Sequence, residues 1–435
     1  MGRYLSFSIA VIIITIKDIS SYHDNFTSVE SSEGVEWSLA RDQTSKYPSP
    51  DSLTSPLQTE PRRRLVSGGA TNPYNRSFDA LRLPMMGMME DPTIKILFDI
   101  QDGIRYVLQT KNEYTVAYHG TGTTGMSGVL DNMIEPRDKV LVCIIGYWGN
   151  VVAKIAQRFG ANVVRMEKSH GSRFSLNEIE AGLHRHRPNI LYLVNGESST
   201  GVYQPIDGIG NLCHKYNCIT IVDVIATVGQ QPIKMDENKI DVVYMNSQKG
   251  LGGIVGLSPV SFSPRAMRKV RRRRSFPVIY QTDINEQADA WFITKPVESR
   301  HEAYTHSISV SLLYMLREGL ARVAEEGIEN VWERHADTHS YIQFRAAKLG
   351  LESFVPKPED RLIGTSIWKA PRGKDGFKIE KYMLEKFGIE ISPGLFIASG
   401  KVIRVGLFGS NANREAVSRI MDALEIALNS TETNS

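Results

Sequence analysis

Met245-Asn246-Ser247-Gln248-Lys249-Gly250-Leu251-Gly252-Gly253 follows an apolar run, Ile240 to Tyr244, that reads as a short buried strand. Its Ser-Gln pair delivers one lysine into a glycine-rich turn. At the end of a buried strand, desolvation disfavours the charged form of lysine and lowers its pKa. A lysine so placed is a good amine nucleophile, and its commonest use is a Schiff base with a carbonyl compound. A loop lysine pointing to water is the competing reading for any single lysine. The weight therefore falls on what lies upstream.

Upstream, Ile219-Thr220-Ile221-Val222-Asp223-Val224 closes a second apolar run on an aspartate. A strand-end Asp followed by a strand-end Lys is the spacing expected of two neighbouring strands of one sheet. Pyridoxal phosphate enzymes need such a carboxylate against the pyridinium nitrogen, because the ion pair keeps the ring protonated and acting as an electron sink. A simpler use of Asp223 is a helix N-cap before Ala226-Thr227-Val228. Its pairing with Lys249 favours the cofactor reading.

The same layout recurs on the N-terminal side. Asn189 to Val194 reads as a strand ending in Asn195-Gly196-Glu197-Ser198-Ser199-Thr200-Gly201, rich in short hydroxyls, and Ile206 to Tyr216 as the next helix. Lys139 to Ile145 runs into Gly146-Tyr147-Trp148-Gly149-Asn150, where Trp148 offers a flat face for a cofactor ring or fills ordinary core. Ala161 to Val164 continues the strand pattern, and Ser175 to His184 reads as a helix with Ser175 at its cap and Glu178 three residues on. Tyr114 to Tyr118 runs into His119-Gly120-Thr121-Gly122-Thr123-Thr124-Gly125-Met126-Ser127-Gly128. Strand, small-residue turn, then helix is a layout for holding phosphate on backbone N–H groups. It lacks the Gly-Lys-Thr of a Walker loop and the glycine spacing of the dinucleotide fingerprint. Strands alternating with helices from 114 to 249 predict an α/β fold with a mostly parallel sheet. Its functional groups should gather at the strands' carboxyl ends, where every strand-borne candidate sits.

The 435 residues suffice for two or three domains. Hydrophobic content of 41% and charged content of 23% are those of a soluble globular protein, and a formal charge of +3 does not mark the whole chain as a nucleic-acid binder. Cys143, Cys213 and Cys218 lie in or beside apolar segments without metal-ligand spacing, which argues for packing residues, no metal and a reducing compartment. Residues 1–17 are apolar from Leu5 to Ile16, too short for a membrane span. They have the length of a signal-peptide core without an Ala-x-Ala site, and share scarce acids with a mitochondrial presequence; an imperfect start-site assignment is a third reading. Residues 18–63 are rich in Ser, Thr, Pro, Asp and Glu, so 1–63 reads as a disordered or targeting extension. Three Asn-x-Ser/Thr matches, at Asn25, Asn75 and Asn429, are near chance in a chain this long.

We read 64–310 as a large domain, 311–430 as a smaller C-terminal α+β domain and 431–435 as a tail. Ser67-Gly68-Gly69-Ala70-Thr71-Asn72-Pro73 is a glycine-rich loop that can bring backbone close to a ligand or serve simply as a turn. Asp91 to Thr110 has apolar residues at helical spacing, and from Ser307 to Leu349 the pattern is again helical. Lys401-Val402-Ile403-Arg404-Val405-Gly406-Leu407 is a strand whose arginine fork can bind a carboxylate bidentately or face solvent from an edge. Arg268-Lys269-Val270-Arg271-Arg272-Arg273-Arg274 reads as a solvated helix face. A nuclear signal or nucleic-acid patch is the alternative, and steering of anionic substrates a further use.

From about Leu65 to Ser430 the sequence resembles the alanine–glyoxylate / serine–pyruvate aminotransferases, class V of the fold-type I pyridoxal phosphate enzymes. The motifs that carry the resemblance are Asn195 to Val202, Val222-Asp223, Ser247-Gln248-Lys249, Gly146-Tyr147-Trp148-Gly149 and Lys401 to Leu407. The resemblance implies pyridoxal 5′-phosphate as cofactor, with Lys249 as Schiff-base lysine and proton shuttle and Asp223 on the pyridine nitrogen. It places Trp148 over the ring with Ile225 beneath, and Ser198 by the phenolic oxygen. Thr121, Gly122, Thr123 and Gln248 would bind phosphate, Arg404 would clamp a substrate carboxylate, and Asn72 and Gly69 belong to the substrate loop. Phosphate contacts from a partner subunit match Tyr304 to Ser307 here, which implies a homodimer with shared sites. Small amino acids and 2-oxo acids are the implied substrates, and a peroxisome or mitochondrion the implied compartment.

The chain departs from the family at three loops. Thr121-Gly122-Thr123 stands where Ser-Gly-His or Ser-Ala-His is common, Gly68-Gly69-Ala70-Thr71-Asn72 replaces Pro-Gly-Pro-Ser-Asn, and Gly250 to Ile254 lacks the usual prolines. The C-terminal Glu432-Thr433-Asn434-Ser435 is no peroxisomal tripeptide signal. Alanine with glyoxylate is the first expectation, serine with pyruvate the second, and a 3-hydroxykynurenine transaminase stays open. Cysteine desulfurase chemistry needs a cysteine in the C-terminal half, and none follows Cys218. The reading outside catalysis is a nucleic-acid or membrane-associated protein using the 268–274 run and the N-terminal apolar segment.

Overall fold

The strand ends singled out above meet along one edge of a seven-stranded sheet. A computed structural model describes residues 63–395 and 398–431; all of the 1–63 extension but Arg63, with its apolar segment, and 432–435 lie outside the described residues. The sheet contains β1 (Tyr114–His119), β2 (Lys139–Ile144), β3 (Asn162–Glu167), β4 (Ile190–Val194), β5 (Ile219–Asp223), β6 (Val242–Tyr244) and β7 (Leu257–Phe262) in the order β1-β7-β6-β5-β4-β2-β3. The five strands from β6 to β3 pair in parallel. Only β7 runs the other way, antiparallel to both β1 and β6. The fold is the expected α/β architecture with a mostly parallel sheet.

Helices α1 (Gly122–Met133), α2 (Tyr147–Arg158), α3 (Leu176–His186) and α4 (Ile209–Lys215) connect the first five strands. Continuous burial of β2, β4 and β5 follows, since crossover helices cover both faces of such a sheet. The start of α3 is the predicted capping box: Ser175 Oγ accepts from Glu178 N, and Glu178 Oε2 accepts from Ser175 N. The sequence from 224 to 241 forms turns rather than a helix. Asp223 therefore caps no helix, although its Oδ1 accepts from Ile225 N at 2.8 Å.

Two main apolar cores follow the chain. The larger joins the sheet to the helices Asp91–Leu108 and Val310–Glu326 and runs through Val331. The smaller gathers Ile342, Ile379, Ile403 and the helix Arg414–Ser430 around β8 (Thr365–Lys369) and β9 (Val402–Gly406), which pair antiparallel. Val66 also belongs to the smaller core, because Arg64 and Leu65 pair in parallel with Ile389 and Glu390. The helix Val310–Glu326 thus packs with the sheet, and the chain passes between cores within the helix Ile328–Lys348.

The basic run lies on the helix Pro264–Arg271 and just past it, and part of it is held by the fold itself. Lys269 pairs with Asp138 at 2.8 Å, Arg271 donates to the Tyr114 hydroxyl, and Arg273 donates to the carbonyls of Asn132 and Ile134. Among the described residues no helix is long and apolar enough to cross a membrane, and no cluster of His, Cys, Asp and Glu could hold a metal ion. All three cysteines are buried and free.

Candidate active site

A cavity of about 270 Å³ opens where the sheet's carboxyl edge meets the smaller core. Gly68, Gly69 and Ala70 line it from the N-terminal loop; Thr121, Gly122 and Thr123 from the β1–α1 turn; Trp148 from the start of α2. Ser198, Asp223, Ile225, Asn246, Gln248 and Lys249 supply the floor, and Arg404 reaches in from β9. The glycine-rich segments are sewn together by backbone: Thr71 N donates to Gln248 O and Tyr74 N to Gly252 O. Gly252 has φ +62, and a Cβ there would lie 2.2 Å from the Tyr74 ring. The glycines after the lysine thus serve close loop packing.

Lys249 is 5% exposed, with Nζ 5.2 Å from the centre of the Phe408 ring. Burial, reinforced by the Arg404 cation, brings its pKa from 10.5 down to about 8, while Asp223 and Glu197 oppose the shift. The neutral amine is therefore about a tenth of the total at pH 7 and about half at pH 8. Because the folded pKa lies below the unfolded one, the protonated lysine costs stability below about pH 8, and the cost vanishes above 10.5. Lys249→Met should accordingly stabilise the cofactor-free protein at pH 7 by up to about 3 kcal/mol. Denaturant melts from pH 7 to 11 should show the difference shrinking across that window.

Asp223 is buried, and burial raises its pKa to about 6 against hydrogen bonds from Tyr244 and Ile225 and the Lys249 charge, all of which lower it. Arg404 is 5% exposed; its Nη1 donates to Ser198 O at 3.0 Å, and its Nε is buried without a partner among the described residues. Trp148 Nε1 donates to Ser198 Oγ at 3.3 Å. Gly122 opens α1 where a Cβ would lie 2.5 Å from Ile225 Cδ1, and the first N–H groups of a helix have no carbonyl of their own to bind. Thr121 and Thr123 are exposed beside it.

Three expected residues stand elsewhere. Asn72 is turned away from the cavity: its Oδ1 accepts from Leu65 N and its Nδ2 donates to Arg63 O, so its amide braces the loop. Tyr304 and Ser307 do not line the cavity of their own chain; Tyr304 is 53% exposed, with its hydroxyl 3.2 Å from Ser307 Oγ. Conversely, Glu197 passed unremarked in the sequence. Its carboxylate is fully buried and accepts from Trp148 N, Ser199 N and Ser199 Oγ, tying the α2 start to the hydroxyl-rich loop. A carboxylate inside a run of small buried residues was the available signal.

The cavity suits a phosphorylated pyridine aldehyde. Buried Asn246 Oδ1, Gln248 Oε1 and Arg404 Nε have no partner among the described residues, a helix N-terminus offers donors for a phosphate, a carboxylate faces the interior, and an amine of lowered pKa lies beside it. Fold and site together define a fold-type I pyridoxal phosphate enzyme. The model of the family described as Aminotransferase class-V matches residues 70–420, and the chain belongs to that family. It is 41% identical to the alanine–glyoxylate aminotransferase of Callithrix jacchus, covering 87% of this chain and 90% of that protein. It is 38% identical to the Drosophila melanogaster alanine–glyoxylate aminotransferase, covering 89% and 97%. The crystal structure of a Nostoc alanine–glyoxylate aminotransferase superposes with a TM-score of 0.84 at 36% identity, covering 88% of this chain and all of that one. The protein is a pyridoxal 5′-phosphate-dependent aminotransferase acting on amino and oxo acids.

Proposed function

We propose that the enzyme transfers the amino group of L-alanine to glyoxylate, releasing pyruvate and glycine. The observation that carries the reading is the convergence of an amine, a carboxylate and an arginine fork on one small cavity, in a chain similar over most of its length to proteins named for that reaction. The cofactor, when bound, supplies the electron sink for removing the α-proton. Asp223 would hold the proton on its ring nitrogen. Thr121, Gly122, Thr123 and Gln248 would bind its phosphate, with Trp148 and Ile225 on the two ring faces and Ser198 at the phenolic oxygen. Lys249 Nζ would take the donor's α-proton and pass it to the cofactor before the keto acid leaves, and would move a proton the other way in the second half of the cycle. Arg404, fixed through Nη1 on Ser198 O, offers its remaining N–H groups to the substrate carboxylate.

A small substrate side chain fits the lining. Gly68 and Gly69 leave no side chain of their own on that wall, and a Cβ at Gly68 would already come within 3.2 Å of Arg404 Nε. We also propose a homodimer in which Tyr304 and Ser307 complete the phosphate site of the partner subunit. Their exposure away from their own cavity supports that arrangement.

The test is a donor–acceptor matrix of L-alanine, L-serine and 3-hydroxykynurenine against glyoxylate and pyruvate. Alanine with glyoxylate should show the highest kcat/KM; a higher value for either other donor would overturn the substrate assignment. Arg404→Ala should raise KM for alanine and glyoxylate together, by about 10²-fold, since it removes the charge partner of a desolvated carboxylate. Arg404→Lys should restore only part, because an ammonium cannot form the paired contact.

A further inference from the structure

We infer that Tyr192 and Tyr244 form a hydrogen-bond relay that fixes the Asp223 carboxylate and sets how tightly it holds the cofactor's ring nitrogen; this rests on the role proposed for Asp223.

The relay follows from strand register. In the parallel ladder Tyr244 on β6 lies directly beside Asp223 on β5, and Val194 on β4 lies beside Asp223 from the other flank. Tyr192, two residues before Val194, therefore points to the same face of the sheet one pleat earlier. The Tyr244 hydroxyl donates to Asp223 Oδ2 at 2.6 Å, and the Tyr192 hydroxyl lies 2.5 Å from that of Tyr244. A carboxylate can only accept, so the Tyr244 proton is committed to Asp223 and Tyr192 must donate to Tyr244. Both tyrosines are fully buried, and burial pushes both phenols well above their ordinary range, so each stays a neutral donor.

Asp223 thus has a fixed acceptor geometry: Oδ1 takes the Ile225 N–H and Oδ2 takes a phenol that is itself polarised by a second phenol. The charged groups around it are Lys249, which favours its anion, and Glu197, with Arg404 acting on both of those. Donation from Tyr244 favours the carboxylate over the acid. Its loss makes Asp223 take up a proton at higher pH, and the protonated acid no longer pairs with a pyridinium. Tyr192 acts only through Tyr244. Both are positioning residues, since neither lines the cavity.

The experiment is calorimetric titration of the cofactor-free protein with pyridoxamine 5′-phosphate, which makes no covalent bond to Lys249, between pH 5.5 and 8. The wild type should lose affinity as pH falls through about 6. Tyr244→Phe should bind about ten-fold more weakly near pH 6.5, with its acid-side loss beginning at higher pH. Tyr192→Phe should shift the same way by less, and the double variant should match Tyr244→Phe alone. Asp223→Asn should bind weakly, its acid-side loss reduced to the part that the ligand's own phosphate, with a second pKa of about 6, contributes. A Tyr244→Phe protein that is less stable but keeps the wild-type pH midpoint and affinity would overturn the relay while leaving the Asp223 role intact. An Asp223→Asn protein that binds like the wild type would overturn the Asp223 role and the relay with it.

Discussion

Replacing Lys249 with alanine should leave a folded protein whose transamination of alanine is slower by at least about 10⁴-fold, the upper range for a positioned proton-transfer group. In the proposed role the residue would combine two functions: an amine able to condense with a carbonyl, and a base for the substrate α-proton. Among the described residues the cavity lining contains no other lysine or histidine. Single-turnover mixing with alanine would check this. The variant should retain pyridoxal phosphate non-covalently through its phosphate and ring contacts, so that the loss appears in the rate rather than in occupancy. A small amine such as methylamine should restore part of the rate if proton transfer is what was removed. Circular dichroism should match the wild type, because alanine removes a buried cation that the cofactor-free fold tolerates only at a cost.

The second large effect belongs to Asp223. Asp223→Asn keeps the shape but removes the charge proposed to hold a proton on the ring nitrogen, and should lower kcat by about 10²–10³-fold, in line with breaking a desolvated charge pair. Its stability should move the other way. An acid whose pKa rises from 3.8 to about 6 on folding loses stability as pH rises through that window, by about 3 kcal/mol in full. The cofactor-free Asn variant should therefore melt above the wild type at pH 7 and converge with it below pH 4. Cofactor binding should reverse the order, since only the aspartate gains a cation. The pair Lys249 and Asp223 is thus set in a site that is unfavourable when unfilled and favourable once loaded, a common trade between stability and activity.

Much of this was readable because the information was local. Asp223 and Lys249 each end an apolar run, and the alternation of strands and helices from 114 to 249 fixes which ends of the strands they occupy. What escaped depends on contacts distant in sequence. Strand β7 inserts between β1 and β6 in reverse, although no periodicity distinguishes it from its neighbours. Asn72 looked like a substrate residue in its loop, yet the Arg63 carbonyl and Leu65 N–H claim its amide because Arg64 and Leu65 are extended against Ile389 and Glu390. The arginine run resembled free surface, but Asp138 and the open carbonyls at the end of α1 take up part of it. Tyr192 and Tyr244 read as ordinary strand aromatics; only the register of three strands turns them toward one carboxylate.

The proposed bond between Lys249 and the cofactor can be located directly. Borohydride reduction of the loaded protein fixes any lysine–cofactor C=N bond, and peptide mass spectrometry then locates the phosphopyridoxyl group. One modified site is expected, Lys249, with labelling suppressed when alanine is added before the borohydride. A label on any other lysine, with Lys249 recovered unmodified, would contradict it.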